Sequence, residues 1–485
     1  MKYILGVIIL LIVVAATLLH FPINIVDALT LETLSDYDIR ISVWRILLEP
    51  FFGHLLFFNR GVYGIEELQY SLYWLLIIFF FYSLGKIFFQ KEKFLKKKFI
   101  LSQLVNLPLV IGLWFTVFIV IIFLSIYLPS NTIINNTESN ILVTTHSHSQ
   151  FSHDGLISQE NLWKWHKRNG FDAFFITDHN THDKTIDFID AQRNNKFPIE
   201  PLIMAGEEFS GSNHLSLLGL KRKFNSHGYA DSVAIDSIHS NGGVVIVNHW
   251  FDGERNSLDF YNNLGVDGFE IENSATETSY NRNLYKKIKN FCKSNNLIMV
   301  GGLDFHGYGN VCTIWNALKI PGWHRLSPTE KEESILNVIR TRDQSKLKVL
   351  MYNDRPFYEP ENLFWSPLFS FFHYFRTLNI WQVLSWMFWI FLMAFVKVKI
   401  FEREELKRTF TINKILPVLG ILGALLMLIL ALNYYLEIAN VASSENDIYE
   451  EYSKLLFYIG AIFITYSGIT SYFRIIKKRP TEKIS

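Results

Sequence analysis

The chain has 485 residues, room for two or three ordinary domains, and a formal net charge of +1. That balance excludes the strong positive field expected of a nucleic-acid binder. Aromatic residues make up 16% of the chain, with 42 Phe, and they concentrate in blocks on either side of a more polar middle. Two cysteines, Cys292 and Cys312, are too few for a disulfide framework and are not spaced as a zinc knuckle. They are expected to be buried thiols, with a single bridge left open.

The apolar run Ile4 to Leu19 behind Lys2 is expected to be an uncleaved membrane span; a signal peptide cut near Ala15-Ala16 is the other reading. Arg40 to Phe58 mixes Trp, Phe and Leu with Arg45, Glu49 and His54, charges that are costly at a bilayer centre, so an interfacial amphipathic helix is expected. If that stretch spans instead, the N-terminus changes side. Leu72 to Phe89 and Leu107 to Leu128 are each expected to cross the hydrocarbon. Between them lie Lys86, Lys91, Lys93, Lys96, Lys97 and Lys98, a basic loop that the positive-inside rule places in the cytoplasm.

Pro129 to Asn140 is a polar linker, which puts the following domain, about 140–352, outside. After it the chain turns aromatic again at Phe364-Trp365. Three more spans are expected at Ile380–Val396, Ile415–Leu436 and Leu455–Phe473. A second basic loop (Lys397, Lys399, Arg403, Lys407, Arg408, Lys414), an acidic one (Glu445, Asp447, Glu450, Glu451) and a basic tail (Arg474, Lys477, Lys478, Arg479) alternate between them. The result is membrane regions at 1–130 and 364–485, about six spans, and both termini in the cytoplasm.

In the middle domain, short β-branched and apolar runs repeatedly stop at residues able to bind a metal. His146 and His148 follow Ile141–Thr145, Asp178-His179 follow Ala173–Thr177, and Glu208 follows Leu202–Ala205. His249 follows Val244–Val247, and Asp304 and His306 follow Leu297–Val300. Helices are expected at 158–169, 229–240, 278–295 and 328–342, with Ser158 as an N-cap. Buried strands alternating with helices predict a parallel α/β sheet or barrel, with its chemistry at the carboxyl ends of the strands. Imidazole with carboxylate suits zinc, manganese or iron, and a set this rich suits more than one ion.

The succession His146-x-His148, Asp154-Gly155, Thr177-Asp178-His179, Gly206-x-Glu208, His214-Leu215, His249 and Asp304-x-His306 resembles the PHP (polymerase and histidinol phosphatase) domain family. The resemblance implies a distorted (β/α)7 barrel inserted between the two helical membrane regions, and up to three divalent ions. It implies that His146, His148, Glu208 and Asp304 hold one ion, that Glu208 bridges to a second held by His214 and His249, and that Asp154, His179 and His306 hold a third. Two departures stand out. Trp250 occupies the place after the strand-ending His where the family has Pro, and His153 precedes Asp154, so either could be the ligand there, with the Asp-Gly step favouring Asp154. Glu207 competes with Glu208, and the spacing from Gly206 favours Glu208.

The resemblance implies a phosphoesterase in which a metal-bridged hydroxide attacks phosphorus in line. With the spans, the expectation is a hydrolase at the outer face of a bacterial-type membrane, acting on a phosphorylated lipid headgroup or an envelope glycoconjugate. Two other classes are a metal- or ligand-sensing ectodomain without turnover, and an amidohydrolase-like enzyme cleaving C–N bonds. No Gly-x-Ser-x-Gly elbow and no P-loop is present. Arg255 is a candidate phosphate clamp, and His153 and His182 are candidate partners of ligands or proton donors. His166, His227 and His239 are expected to be structural or exposed, and Glu270 and Glu272, at a strand end, stay unassigned.

Overall fold

The computed structural model describes residues 2–58, 65–89, 93–223, 225–252, 256–274, 281–307, 312–356, 365–401, 411–441 and 447–476. Lys91, Phe364, Arg403, Lys407, Arg408, Glu445, Lys477, Lys478 and Arg479, and the first residues of the helix expected from 278, lie outside the described residues. The chain forms two compact units. One comprises residues 1–65, 122–383 and 441–447, the other 66–121, 384–440 and 448–485.

The described residues of the first unit form twelve strands: β1 Asn24–Asp27, β2 Tyr37–Ile41, β3 Asn131–Asn135, β4 Asn140–Thr144, β5 Ala173–Ile176, β6 Leu202–Ser210, β7 His214–Leu218, β8 Val244–Val247, β9 Gly268–Asn273, β10 Ile298–Gly302, β11 Ile314–Lys319 and β12 Leu347–Asn353. Ten of them make one sheet in the order β1-β12-β11-β4-β5-β6-β7-β8-β9-β10. The pairs β4–β5, β5–β6, β8–β9 and β9–β10 are parallel, as the alternation with helices predicts. The all-parallel expectation fails at β7 and β11, each antiparallel to both of its neighbours. β6 and β7 are joined by only three residues, too few for the crossover that a parallel pair requires. The sheet curls far enough for its edge strand β10 to reach β11, third from the other edge. Asn316 on β11 accepts from the Gly301 amide at 2.8 Å and donates to the Gly301 carbonyl at 2.8 Å on β10.

Successive residues of a strand point to opposite faces, and here both faces are buried. Ile141 and Val143, Ala173 and Phe175, and Leu202 and Met204 pack into one core. Leu142, Phe174, Ile176 and Ile203 pack into another. This is why the strands read as continuous apolar runs. Helices lie at Gln159–Arg168, Asp231–Ser240, Arg282–Ser294 and Pro328–Arg340, near their expected places. Ser158 caps the first by accepting from the Asn161 amide, and Ser327 with Glu330 forms a capping box on the last. Helices Asp183–Arg193 and Leu258–Asn263 complete the alternation.

The sheet reaches beyond residues 140–352. β1 pairs with β12, and β2 pairs with β3. Ile25, Val26 and Ala28 are buried in the two cores. Where the sequence predicts one interfacial helix over 40–58, the chain finishes β2 and then forms two short helices, Val43–Leu47 and Glu49–Phe58. The charges turn inward. Arg45 pairs with Glu49 at 3.5 Å, both buried, and Tyr374 of the helix Ser366–Arg376 donates to Glu49 at 3.0 Å.

Among the described residues, five helices are long and apolar enough to cross a membrane, with candidate spans Ser71–Phe89, Lys96–Leu124, Ile380–Lys399, Ile412–Val441 and Ile448–Ile475. The sixth expected span is the helix Lys2–Thr17, whose 16 residues reach about 24 Å against roughly 30 Å of hydrocarbon. Inside the second unit the helices meet at small residues, Gly420 against Ser467 and Gly423 against Thr116. Arg474 donates to the Asn106 side chain at 2.7 Å and to the Asn413 carbonyl at 3.0 Å.

Candidate metal centre

β4 ends one residue before Thr145, and the chain continues extended, so His146 and His148, two positions apart, project to the same side. Ser147, between them, faces the other way: its hydroxyl donates to the Phe175 carbonyl at 2.6 Å and its amide to Thr177 Oγ1 at 3.1 Å. Asp178 then accepts from the amide and the hydroxyl of Ser149, which ties the start of the next turn to the end of β5. That turn brings Asp154 back over the strand ends. Gly155 makes this possible, since a Cβ there would lie 1.9 Å from the Ser149 carbonyl oxygen.

On this scaffold His146, His148, Asp154, His179, Glu208, His214, His249, Asp304 and His306 converge. His146 Nε2 lies 3.0 Å from His148 Nε2, 3.1 Å from Glu208 Oε2 and 3.2 Å from Asp304 Oδ1. His148 Nε2 lies 3.1 Å from the same Glu208 oxygen and 3.3 Å from the same Asp304 oxygen. A tetrahedral ion with ligand distances of about 2.0–2.1 Å requires its ligand atoms to stand roughly 3.3 Å apart. The separations match that figure closely, and all four residues are buried. The donor set therefore fits a divalent cation.

Glu208 divides its two oxygens. Oε2 faces His146, His148 and His179, the last at 3.3 Å, while Oε1 faces His214 Nδ1 at 3.1 Å and His249 Nε2 at 3.2 Å. A carboxylate arranged this way is suited to bridge two ions. In a third group, Asp154 Oδ2 stands 2.9 Å from His306 Nε2 and 3.4 Å from His179 Nε2, with His148 alongside. The partition differs in detail from the one the resemblance implies: His179 borders both the second and third groups, and His148 both the first and third.

The polypeptide is held in an uncommon conformation where two of these side chains arise. His249 has φ of 24° and Asp304 φ of 52°, in the left-handed region that non-glycine residues seldom occupy. Charges reinforce one another across the cluster. Burial opposes a charge on His148, yet the Asp304 and Glu208 carboxylates outweigh it and push its pKa up to about 10. The same contest raises His249 to about 9, chiefly through Glu208. Asp154, Glu208 and Asp304 are correspondingly held far below the usual carboxylate range against their burial, by the surrounding imidazoles. For His179 burial wins, and its pKa falls to about 4.

The cluster opens into a cavity of about 480 Å³ whose lining includes Asp154, His179, Glu208, His214, His249 and His306. Among the described lining residues there is neither Lys nor Arg. Arg255, the expected phosphate clamp, lies outside the described residues. His153 stands at the cavity rim, its side chain 59% exposed and 3.9 Å from Asp154, so Asp154 is the inward-facing member of that pair. Glu207 points away from the site to His182 and Ser226, because neighbours on β6 face opposite ways. His182 is therefore a partner of Glu207. His166 is buried against the Leu162 carbonyl, and His239 pairs with Asp267.

Sequence reasoning left two contributors unassigned. Glu270 on β9 lies 2.8 Å from His146 Nδ1, and Asn248 donates to Glu208 Oε1 at 2.9 Å. Glu270 carried a signal in its place at a strand end. Asn248 carried only its position beside His249.

Residues 144–292 match the family described as PHP domain. No curated protein matches the chain. Among solved structures, the chain is similar to a two-domain protein containing a predicted PHP-like metal-dependent phosphoesterase from Bacteroides vulgatus, at 16% identity and a TM-score of 0.35, covering 44% of this chain and 65% of that one. It is similar to PsfC from Pseudomonas syringae, at 15% identity and a TM-score of 0.31, covering 49% and 98%. It is also similar to an amidohydrolase from Chromobacterium violaceum solved with bound sulfate and no metal, at 13% identity and a TM-score of 0.27, covering 38% and 98%. The chain carries a PHP domain, α/β in fold, and the helices on either side of it in sequence are candidate membrane spans.

Proposed function

We propose that the protein is a membrane-anchored, metal-dependent phosphoesterase, its catalytic domain a distorted (β/α)7 PHP-type barrel on the outer side of a bacterial-type cytoplasmic membrane. One observation carries the reading: eight of the nine side chains fall into three groups with metal-ligand spacings, His249 joins them through Glu208, and Glu208 serves two groups at once. His146, His148, Glu208 and Asp304 would hold a first cation, Glu208, His214 and His249 a second, and Asp154, His179 and His306 a third, with zinc, manganese or iron suited to the donors. When bound, such cations supply Lewis acidity and activate water near neutral pH. The chain's own residues fix where this happens: the buried ligands place the cations at the cavity floor, and the rim admits substrate. Among the described lining residues there is no Lys or Arg, so bound cations would supply the positive charge that a phosphoryl group meets there.

Strand pairing supports the topology. β2 and β3 lie in one sheet and hence on one side of a bilayer, so an even number of crossings separates Ile41 from Asn131. The two long helices between them provide that number, and 40–58 adds none. The lysines of 86–98 favour a cytoplasmic loop between those two helices, which puts the PHP domain outside and makes a phosphorylated lipid headgroup or envelope glycoconjugate the favoured substrate. No nucleic-acid partner is expected at a net charge of +1.

The test uses the purified full chain in detergent, with metal analysis and a panel of phosphomonoesters, phosphodiesters and amides. The expected result is phosphoester hydrolysis with Mn or Zn that is lost in His249→Ala. Bound metal with no turnover would favour a sensing ectodomain, and amide cleavage a C–N hydrolase.

A further inference from the structure

Glu270 is fully buried and belongs to none of the three ligand groups, yet it is bonded to two residues of the cluster. Its two oxygens do different things. Oε1 lies 2.8 Å from His146 Nδ1, the ring nitrogen turned away from the cluster. Oε2 accepts from the His249 backbone amide at 2.9 Å and from Asn273 Nδ2 at 3.0 Å. The space it fills is kept open by the neighbouring strand: a Cβ on Gly302 of β10 would lie 2.0 Å from Glu270 Oε1.

These contacts determine two things about the ligands. A carboxylate only accepts, so His146 Nδ1 must carry the hydrogen, and in the neutral ring Nε2 then presents its lone pair. Nε2 is the atom 3.1 Å from Glu208 and 3.2 Å from Asp304. The second contact holds the main chain of His249, whose φ of 24° needs support from its surroundings to persist. That backbone setting aims His249 Nε2 at Glu208 Oε1, 3.2 Å away.

We infer that Glu270 is a positioning residue that assembles the first and second ion groups together, fixing the tautomer of His146 with one oxygen and the backbone of His249 with the other. It touches no residue of the Asp154–His179–His306 group in these bonds, so that group forms without it. The inference rests on the ligand assignment proposed above.

Glu270→Gln separates this role from mere space filling, because it keeps size and shape but has one acceptor oxygen and one donor nitrogen. If the amide nitrogen meets His146, it donates to Nδ1 and forces the hydrogen onto Nε2, where it blocks the lone pair. If the oxygen meets His146, the His249 amide loses its acceptor. The full chain in detergent is stripped of metal and titrated with Co²⁺ and Zn²⁺, with stoichiometry, affinity and the Co²⁺ absorption spectrum read for the natural protein and for Glu270→Gln. A thermal melt of each metal-free protein checks folding. The expected result is a loss of about tenfold to a hundredfold in affinity for the ions sharing Glu208, the size typical of losing a partner that orients a metal ligand. The Co²⁺ spectrum is expected to change while the ion at Asp154 is retained. Glu270→Asp, which keeps two acceptors, recovers part of the lost affinity.

Unchanged affinity and spectrum in Glu270→Gln overturn the positioning role and leave the ligand assignment standing. Uniform loss of every ion together with a collapsed melt also overturns it, in favour of a structural role. A natural protein that takes up no ion removes the ligand assignment, and this inference with it.

Discussion

The two units of this molecule treat the same kinds of residue in opposite ways. In the first, apolar side chains are hidden on both faces of short strands, and ionisable groups gather at the strand ends, where Glu208 lies within reach of His146, His148, His179, His214 and His249. In the second, large apolar side chains face outward, with Ile462 71% exposed and Ile429 63%. Its interior instead holds small and polar groups such as Gly420, Ser467, Asn106 and Asn413. The contrast is the one expected of water around the first unit and lipid around the second. Water drives apolar surface inward, whereas lipid offers no such drive and leaves close packing and hydrogen bonds to hold helices together. The same hydrophobicity that builds a core in one unit builds a surface in the other.

The sharpest break in that contrast falls at Glu208. Glu208→Gln removes a bridging charge from the cluster and is expected to lower kcat/KM by more than about a thousandfold, over ~4 kcal/mol of transition-state stabilisation. A phosphoester assay on the full chain reads it, and the helical unit should melt unchanged.

A smaller effect is expected from the buried pair in the first unit. Arg45→Met strands Glu49 without its cation and is expected to cost about 3–5 kcal/mol, whereas the double change of Arg45 and Glu49 to Met recovers most of that loss. Denaturant or thermal unfolding of both variants measures the difference. Equal loss in both would show that the two side chains do not act as a pair.

Metal binding is expected to add about 2.7 kcal/mol to the PHP domain at a hundredfold excess of ion over Kd. It should also carry a proton signature. His148 at about 10 and His249 at about 9 are protonated at neutral pH without metal. Ligation requires the neutral rings, so ion binding releases protons and affinity falls as pH is lowered from 9 toward 6. Calorimetry in buffers of different ionisation enthalpy counts the protons, and a pH-independent affinity would contradict the ligand set. The smallest effect is expected in the helical unit. Arg474→Gln removes bonds to Asn106 and Asn413 and should cost about 1.5–3 kcal/mol in detergent melts, leaving metal affinity unaltered.

Much of the candidate site was legible because side chains that meet at one face of such a sheet mostly sit where strands end, and strand ends are marked in the sequence by the stop of a β-branched run. The order of the motifs did the rest. The second core, by contrast, was half invisible: Ile25 reaches it from a strand more than a hundred residues before β4, and nothing local in Asn24–Asp27 names β12 as its partner. The reversed direction of β7 had a local trace in its three-residue link to β6, and the sequence reading passed over it. Arg45 and Glu49 suggested an exposed amphipathic face, and instead they neutralise each other indoors.

By itself the sequence determined which stretches are apolar enough to span, which residues can bind a cation, and the order in which they come. Those are properties of composition and short-range periodicity, and they need no partner. The spacing from Gly206 favoured Glu208, but only the tertiary structure showed it facing the cavity with Glu207 turned away, how Glu208 shares its oxygens, and that Glu270 stands behind His146 and His249. The reason is physical: alternation along a strand makes one neighbour face in and the other out, but which of the two is chosen depends on the sheet's curl and on strands far away in the chain.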